Sequence, residues 1–505
     1  MSNPLFDIKI LNNNEVEIAG YKGDGGDVVI PEEIDGKKVV SIGDHAFCEN
    51  YHQAAVVAAM PTPVIKHITS VVIPNSVKRI GDDAFYCCSE LSAIEIPDSV
   101  TEVDEFAFVG CSKVKKIYIP KNLTNIKSNS FSKNVDEIVV DINNPKYDSR
   151  CNCNAIIETA TNTLVFGCKN TIIPNDIEII GKKAFCDCTE LRKIVIPDSV
   201  KEIGFYTFAS SGLETITISD NVQKIGAGAF CESALESVKI GAGVHTINAR
   251  AFARCDNLTT IIVSEHNPKY DSRDNCNAII FTAKRELVVG CKSTIIPEGV
   301  ELIGDNAFES CIFKNIIIPE GVYVIGACAF EYSDFESIVI PDSMVKIGAH
   351  AFECCRQLSD LRLGKCVIEI GFGAFSEMES LTKLFIPKYV TRMDDAIYNC
   401  ENLEEIEIEE NSKLKTFGKD GIEITPKLRK IKIGKGCKSS LMRQALEYAI
   451  ENNIEEMIED EYLKRITKKD FEKVINFARE KERVSVLQDM IVKYHKRFGE
   501  RKLKL

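Results

Sequence analysis

Cysteine is the residue type in this chain with the most obvious capacity for chemistry, since 20 of the 505 residues are cysteines. Thiolates bind metal ions, attack electrophiles and form disulfides. Seven of these cysteines recur at one position, three residues after a repeated phenylalanine or its isoleucine substitute: Cys88, Cys111, Cys188, Cys255, Cys311, Cys355 and Cys400. One position in each repeat favours one structural role, so we predict that these thiols pack in the core.

Other cysteines are close enough in sequence to suggest a shared ion or a disulfide. Cys151-x-Cys153 and Cys186-x-Cys188 lack the two-residue gap of zinc knuckles, so we predict no metal site and no cofactor. Two further pairs are each separated by 15 residues, and a disulfide could close each of them in an oxidising compartment. These pairs are Cys153/Cys168 and Cys276/Cys291.

Histidines and carboxylates form no recognisable catalytic set. His45 and His350 occupy a variable position that we expect to be exposed, and no Ser/His/Asp or Cys/His order matches a hydrolase signature. Asp141 and its neighbours could gather around calcium, but Asx turns explain them more simply. We therefore predict that the chain is not an enzyme. A carbohydrate-active enzyme stays an alternative, which would need two carboxylates facing each other across a cleft.

Charge and hydropathy narrow the class of partner. The chain has 62 basic and 75 acidic residues and a net charge of −13, which disfavours nucleic acid as a partner. No run of about 18 apolar residues predicts a membrane span. The first residues show no secretory signal, so we expect a cytoplasmic monomer, with the cell surface or secretion as the alternative.

A period of 22–23 residues organises most of the chain. Pro74, Pro97 and Pro120 are 23 residues apart, and each proline ends an Ile-x-Ile or similar segment that we interpret as a short strand. An Ile-Gly pair that permits a bend and an Ala-Phe pair follow within the same repeat. One repeat cannot bury its apolar side chains alone, so we predict a stacked, mainly β repeat solenoid.

The regular period is interrupted and then ends. Two long units near 141–174 and 264–297 are almost identical and predict β-hairpins, whereas Tyr51–Val64 suggests a loop on the solenoid. From these patterns we predict three regions: an N-terminal β cap with the first repeat (1–45), the solenoid (46–435) and a basic α-helical region (436–505). The helices could cap the solenoid, form an interaction module or contact an anionic surface.

In these motifs the chain resembles the BspA-like leucine-rich repeat proteins of bacteria. The resemblance rests on Ile-x-Ile-Pro, on Ile-Gly-x-x-Ala-Phe with its following cysteine, and on the two Asn-Pro-Lys-Tyr-Asp-Ser-Arg units. It implies a curved, right-handed leucine-rich-repeat solenoid, with short turns or 3-10 segments, that binds proteins. Secreted members of this family are surface adhesins for host matrix proteins or other cells, and the family has no catalytic residues to transfer.

The candidate binding residues lie between the two buried positions of each strand. There the side chain points outward, and Ile172 and Val195 already occupy this position in earlier repeats. We predict that the later part of this row binds an unidentified protein partner through a concave sheet, although β-branched residues also simply suit strands. The candidates are Ile262, Ile295, Ile317, Val339, Arg362 and Phe385, with Lys314, Glu336, Asp360 and Lys383 as a polar rim.

Overall fold

The computed structural model defines the fold over most of the chain. The predicted loop at Tyr51–Val64 and the rim residue Lys314 lie outside the described residues. The structure describes residues 5–48, 67–248, 250–313, 315–393, 395–416, 422–423, 426–452, 454 and 460–498.

The chain forms a β-solenoid of about 17 turns, which confirms the predicted fold class. Backbone contacts divide it into two compact units. Unit 1 comprises residues 1–258 and 263–268, and unit 2 comprises residues 259–262 and 269–505. Each turn of the solenoid, called a coil below, corresponds to one sequence repeat.

Short strands make up most of the ordered backbone in both units. The first strands are β1 Phe6–Asn12, β2 Glu15–Tyr21, β3 Gly26–Val29, β4 Glu33–Ile34, β5 Lys37–Ile42, β6 Ile68–Val72, β7 Arg79–Ile80, β8 Glu102–Val103, β9 Lys116–Ile119, β10 Asn125–Ile126, β11 Glu137–Val140, β12 Tyr147–Asp148, β13 Ala155–Glu158, β14 Thr163–Gly167, β15 Ile179–Ile180, β16 Glu202–Ile203, β17 Thr215–Thr217, β18 Lys224–Ile225, β19 Ser237–Ile240, β20 Thr246–Ile247 and β21 Thr260–Val263. The later strands are β22 Tyr270–Asp271, β23 Ile279–Phe281, β24 Glu286–Val289, β25 Leu302–Ile303, β26 Val324–Ile325, β27 Ser337–Val339, β28 Lys346–Ile347, β29 Asp360–Arg362, β30 Glu369–Ile370, β31 Lys383–Ile386, β32 Ile397–Tyr398, β33 Glu405–Ile408, β34 Ile422–Glu423 and β35 Lys430–Ile433. Three 3-10 turns (Arg150–Asn152, Arg273–Asn275 and Thr282–Lys284) and four helices complete the described structure: α1 Ser439–Glu451, α2 Asp460–Arg465, α3 Lys468–Glu480 and α4 Val484–Phe498.

Two kinds of parallel ladder connect the coils, although the coils that contain Ile295 and Ile317 form only the second kind. Strands of the Ile-x-Ile type pair in small groups, such as β9 with β11 and β31 with β33 and β35. The segment before the repeated glycine forms a second ladder of two-residue strands, such as β25–β26–β28–β30. The sequence predicts only a bend at this segment, because two residues are too few to show an alternating pattern.

Glycine after the second strand is required by coil-to-coil contact. A Cβ atom at Gly226 would lie 2.5 Å from a backbone atom of Gly204, and one at Gly348 would lie 2.5 Å from Gly326. Neither glycine has a positive φ. The prediction that glycine serves a bend was therefore wrong about the cause: the absent side chain lets consecutive coils approach.

Stacked phenylalanine rings form the centre of the core. Rings of neighbouring coils lie 4.8–6.1 Å apart and nearly parallel within each run. The runs are Phe47 to Phe131 and Phe185 to Phe252 in unit 1, and Phe308 to Phe375 in unit 2. Left-handed residues flank the phenylalanine in many coils, for example Asp83 (φ 51°) and Cys87 (φ 59°) beside Phe85. Their N–H groups donate to the next coil, which offsets the backbone strain.

The repeated cysteines pack beside this column, and each also donates a hydrogen bond. Sγ of Cys111 lies 3.3 Å from the carbonyl oxygen of Phe85, one coil back, and Cys400 contacts the oxygen of Phe375 at 3.0 Å. Ser333 makes the same bond to Phe308, at 2.8 Å, where serine replaces cysteine. Five of the seven repeated cysteines are fully buried, whereas Cys255 and Cys311 are half-buried.

All 20 cysteines are free thiols in the structure, including the two pairs considered for disulfides. We expect that only Cys151 and Cys366, which are exposed, react quickly with a maleimide in the native protein. Burial raises the pKa of the Cys400 thiol to about 11, which leaves little thiolate near neutral pH. Mass spectrometry after timed labelling checks this, with urea-unfolded protein as the control in which all 20 should react. Rapid native labelling of Cys400 would contradict the packing described here.

The long units contain the predicted hairpins. In unit 1, β13 and β14 pair antiparallel, and β14 then begins the parallel ladder with β15. In unit 2, β23, β24 and β25 repeat this arrangement. The N-terminal hairpin of β1 and β2 is also present, and β2 continues in parallel with β5. Each hairpin thus provides an antiparallel start for a run of parallel coils.

The C-terminal helices pack on the last strand and share one apolar core with unit 2. The Tyr462 hydroxyl donates to the Ile431 carbonyl, and Arg465 donates to that of Ile433 at 2.8 Å. Thr467 accepts from the Asp470 N–H at the start of α3, as the capping-box pattern predicts. These contacts cover backbone and apolar groups of β35, as the capping interpretation requires.

Candidate partner-binding surface

All six candidate residues lie in unit 2 with exposed side chains. Buried and exposed side chains alternate here, because Ile316 and Ile318 on either side of Ile317 are buried in the core, although this segment lies outside the strands. The six are Ile262, Ile295, Ile317, Val339, Arg362 and Phe385. Whether they bind a partner stays a prediction.

Three of these side chains form what we call the apolar stripe: Ile295, Ile317 and Val339. They are 73%, 82% and 60% exposed, respectively, on three consecutive coils. The phenylalanine rings of the same coils lie 5.1 Å and 5.2 Å apart in the core, close to the spacing of about 4.8 Å between neighbouring strands. Three aliphatic side chains in water at a spacing of about 5 Å favour removal of this surface from solvent.

Charged pairs begin where the apolar stripe ends. Arg362 lies 2.9 Å from Asp360 on the same strand. On the next coils Lys383 contacts Glu407 at 2.9 Å, and Lys432 contacts Glu405 at 2.5 Å. The hydrogen bond from Lys432 lowers the pKa of Glu405, so this end of the face remains charged and well hydrated.

A row of carboxylates runs beside the apolar stripe, and we call it the acidic margin. Glu298, Glu320 and Asp342 each lie three residues after a stripe residue and are exposed. Glu320 accepts bonds from the N–H groups of Asp342 and Ser343, at 3.2 Å and 3.1 Å. These bonds hold the Glu320 carboxylate in place, and the Lys365 side chain lies 2.9 Å from that of Asp342.

Unit 1 has a comparable surface that the sequence analysis did not select. A groove of about 1020 Å³ follows the first hairpin unit and includes Ile172 and Val195, which are 75% and 81% exposed. Thr217 and Lys239 continue the row, with Asp198 beside it. The outward positions of Ile172 and Val195 could have indicated this surface from the sequence. The depth of the groove could not be predicted, because it depends on the path of the backbone.

A second concave feature in unit 1 contains an unusual lysine. The cleft, of about 230 Å³, is lined by residues that include Lys133, Asn129 and Cys186. Lys133 is only 4% exposed; its Nζ donates to the Ala184 carbonyl at 3.1 Å and lies 3.3 Å from the centroid of the Phe166 ring. Burial lowers the pKa of Lys133 to about 7. The sequence offers no signal for this, because lysine is ordinarily a surface residue.

The structure also bears on metal binding and on membrane insertion. Within the described ranges, no three or more His, Cys, Asp or Glu side chains are placed to hold a metal ion. The helices of the described part of the chain are all too short or too polar to cross a bilayer.

Comparison with known proteins places the repeats in a family. A family model for the BspA type leucine rich repeat region (6 copies) matches residues 65–167, 164–278, 288–395 and 324–452. No curated protein matches the sequence.

Solved structures similar to this chain are themselves bacterial leucine-rich repeat proteins or antigens. A leucine rich cell surface protein from Faecalibacterium prausnitzii is 23% identical, with 87% of this chain and 96% of that chain covered and a TM-score of 0.38. A leucine-rich repeat protein from Bacteroides ovatus is 20% identical over 84% of this chain and 98% of that chain, with a TM-score of 0.36. The pneumococcal vaccine antigen PcpA is 15% identical over 85% of this chain and 86% of that chain, with a TM-score of 0.30. Because the family model matches most of the repeats, the chain belongs to the BspA-type leucine-rich repeat family.

Proposed function

We propose that this protein is a non-enzymatic scaffold that binds protein partners through the exposed face of its Ile-x-Ile segments, centred on the apolar stripe. The observation that supports this most strongly is the exposure of Ile295, Ile317 and Val339 on three consecutive coils. Contiguous exposed apolar side chains mark partner surfaces more often than single ones do. Aliphatic groups bind by burial and transfer no protons, so such a surface suits recognition rather than catalysis.

The charged residues around the stripe support the same proposal. Glu336, Asp360 and Lys383 are exposed, and together they give a polar rim around an apolar centre. A rim of this kind orients a partner and discourages nonspecific association, while the buried centre supplies most of the affinity.

The test is affinity capture with the full chain, from bacterial cytosol and from a host extracellular-matrix extract. Ile317→Asp combined with Phe385→Asp should weaken capture at least tenfold, because a partner would have to bury two unpaired carboxylates. Melting temperature should change little, since both side chains are exposed. Ile142→Asp is the matched control, because Ile142 is 97% exposed and lies in unit 1, outside this face. Equal capture by the double variant and the control would refute the proposal.

A second candidate is a surface adhesin for host matrix proteins or other cells, which membership of the BspA-type family favours. An adhesin would be cleaved when intact cells are treated with protease, and its captured partners would come from the matrix extract. Protection on intact cells together with cytosolic partners would favour an intracellular scaffold.

A further inference from the structure

We propose that the partner segment on the apolar stripe is an amphipathic α-helix that crosses the coils, with one helical turn on each coil and a row of Lys or Arg facing the acidic margin. This inference rests on the proposed function, because it specifies what occupies the same surface.

The first argument is a match of spacings. The phenylalanine rings of the coils that carry the stripe are 5.1 Å and 5.2 Å apart, and we take this core spacing as the coil step. An α-helix advances about 5.4 Å per turn, so two of its turns match two coil steps to within about 0.5 Å. Side chains on one face of an extended strand repeat at roughly 6.6–6.8 Å, which overshoots two coil steps by about 3 Å. A helix therefore keeps its apolar side chains in register with Ile295, Ile317 and Val339, and a strand does not.

The second argument is charge complementarity. Glu298, Glu320 and Asp342 follow the stripe at the same three-residue offset, so the acidic margin runs parallel to it. Lys365 pairs with Asp342 and also interacts with Glu320, so these two carboxylates, Glu298 and Lys365 together leave two net negative charges. A helix with Lys or Arg beside its apolar row would place these cations opposite the carboxylates. Rim pairs of this kind would fix the direction and register of the helix more than its affinity.

The end of the stripe sets the length of the contact. Arg362 follows Val339 directly across the ladder from β27 to β29, so the apolar part covers three coils. Three helical turns correspond to about 11 residues, with apolar side chains at i, i+4 and i+7. Isolated helices this short are marginal in water, so the segment either belongs to a folded partner or folds as it binds.

The test uses three 15-residue fluorescent peptides of defined pattern and the full chain. The first has leucine at i, i+4, i+7 and i+11 with a flanking row of lysine. The second has the same composition with leucine at alternate positions, and the third has glutamate in place of lysine. Anisotropy titration should show binding of the first peptide, and at least tenfold weaker binding of the other two.

Variants of the chain connect this binding to the stripe. Ile317→Asp should lower the affinity of the chain for the first peptide at least tenfold, and Ile142→Asp should leave that affinity unchanged. Equal or tighter binding of the alternating peptide, or equal effects of the two variants, would overturn the helix inference. If no peptide binds while partner capture still depends on Ile317, the helix inference fails and the proposed function stands. If Ile317→Asp also leaves partner capture unchanged, both the helix inference and the proposed function fail.

Discussion

Replacing Phe330 by alanine should lower the free energy of unfolding by about 3–5 kcal/mol. The Phe330 ring is fully buried and stacks between Phe308 and Phe352, at 5.1 Å and 5.2 Å. Phe313 and Phe335 also contact the Phe330 ring, so no neighbour can move in without losing its own contacts. The truncation leaves a cavity that interrupts the aromatic column in the middle of unit 2.

Urea unfolding followed by circular dichroism measures this change. Phe385→Ala is the matched control, because Phe385 is 39% exposed and its loss should cost less than about 1 kcal/mol. Coils contact only their neighbours, so we expect the Phe330 variant to show an early transition before the rest of the chain unfolds. Similar urea midpoints for Phe330→Ala and Phe385→Ala would contradict the conclusion that the phenylalanine column contributes much of the stability.

Replacing Lys133 by methionine should stabilise the protein by about 4 kcal/mol at pH 6 to 7 and by much less above pH 10.5. In the folded state burial lowers the pKa of Lys133 from 10.5 to about 7. Below pH 7 the ammonium group of Lys133 is charged in both the folded and the unfolded state. Folding must then bury a charged group, which lowers the free energy of unfolding. As pH rises from 7 to 10.5 the folded state loses the proton first, and this cost disappears.

The comparison with wild type across pH isolates the lysine. Burial raises the pKa values of neighbouring thiols such as Cys186 and Cys188, and charged Lys133 partly offsets this effect. The comparison therefore reports the lysine alone between about pH 6 and pH 8, where these thiols stay protonated in both proteins. Lys113→Met is the matched control: its Nζ is exposed and paired with Glu90, and we expect a change within about 0.5 kcal/mol at every pH. A difference between wild type and Lys133→Met that does not vary with pH would contradict the buried charge.

The repeat and its core were predictable because they depend on spacing. The phenylalanine and Ile-x-Ile positions recur every 22–23 residues, so their stacking follows from the need to bury apolar side chains. The hairpins were predictable from two apolar runs separated by a short turn. The exposed position of Ile317 was predictable from the alternation of apolar and outward residues, although its segment does not form the expected strand.

Other features depend on contacts between coils and leave no pattern in one repeat. Left-handed residues such as Phe106 and Tyr206 do not share a residue type that would indicate a positive φ. The hydrogen bond from Cys111 to Phe85 depends on the position of the preceding coil. Burial of Lys133 beside Phe166 results from the break in the aromatic column at the first hairpin unit, which no local pattern shows.

Site-specific photocross-linking tests the central claim most directly. A benzoylphenylalanine introduced at Ile317 of the full chain, and in a parallel protein at Ile142, would be irradiated in the presence of captured partner. We predict a covalent adduct from position 317 and none from position 142, because only the first lies in the apolar stripe. Adducts from position 142 alone, or from both positions equally, would contradict partner binding by this face.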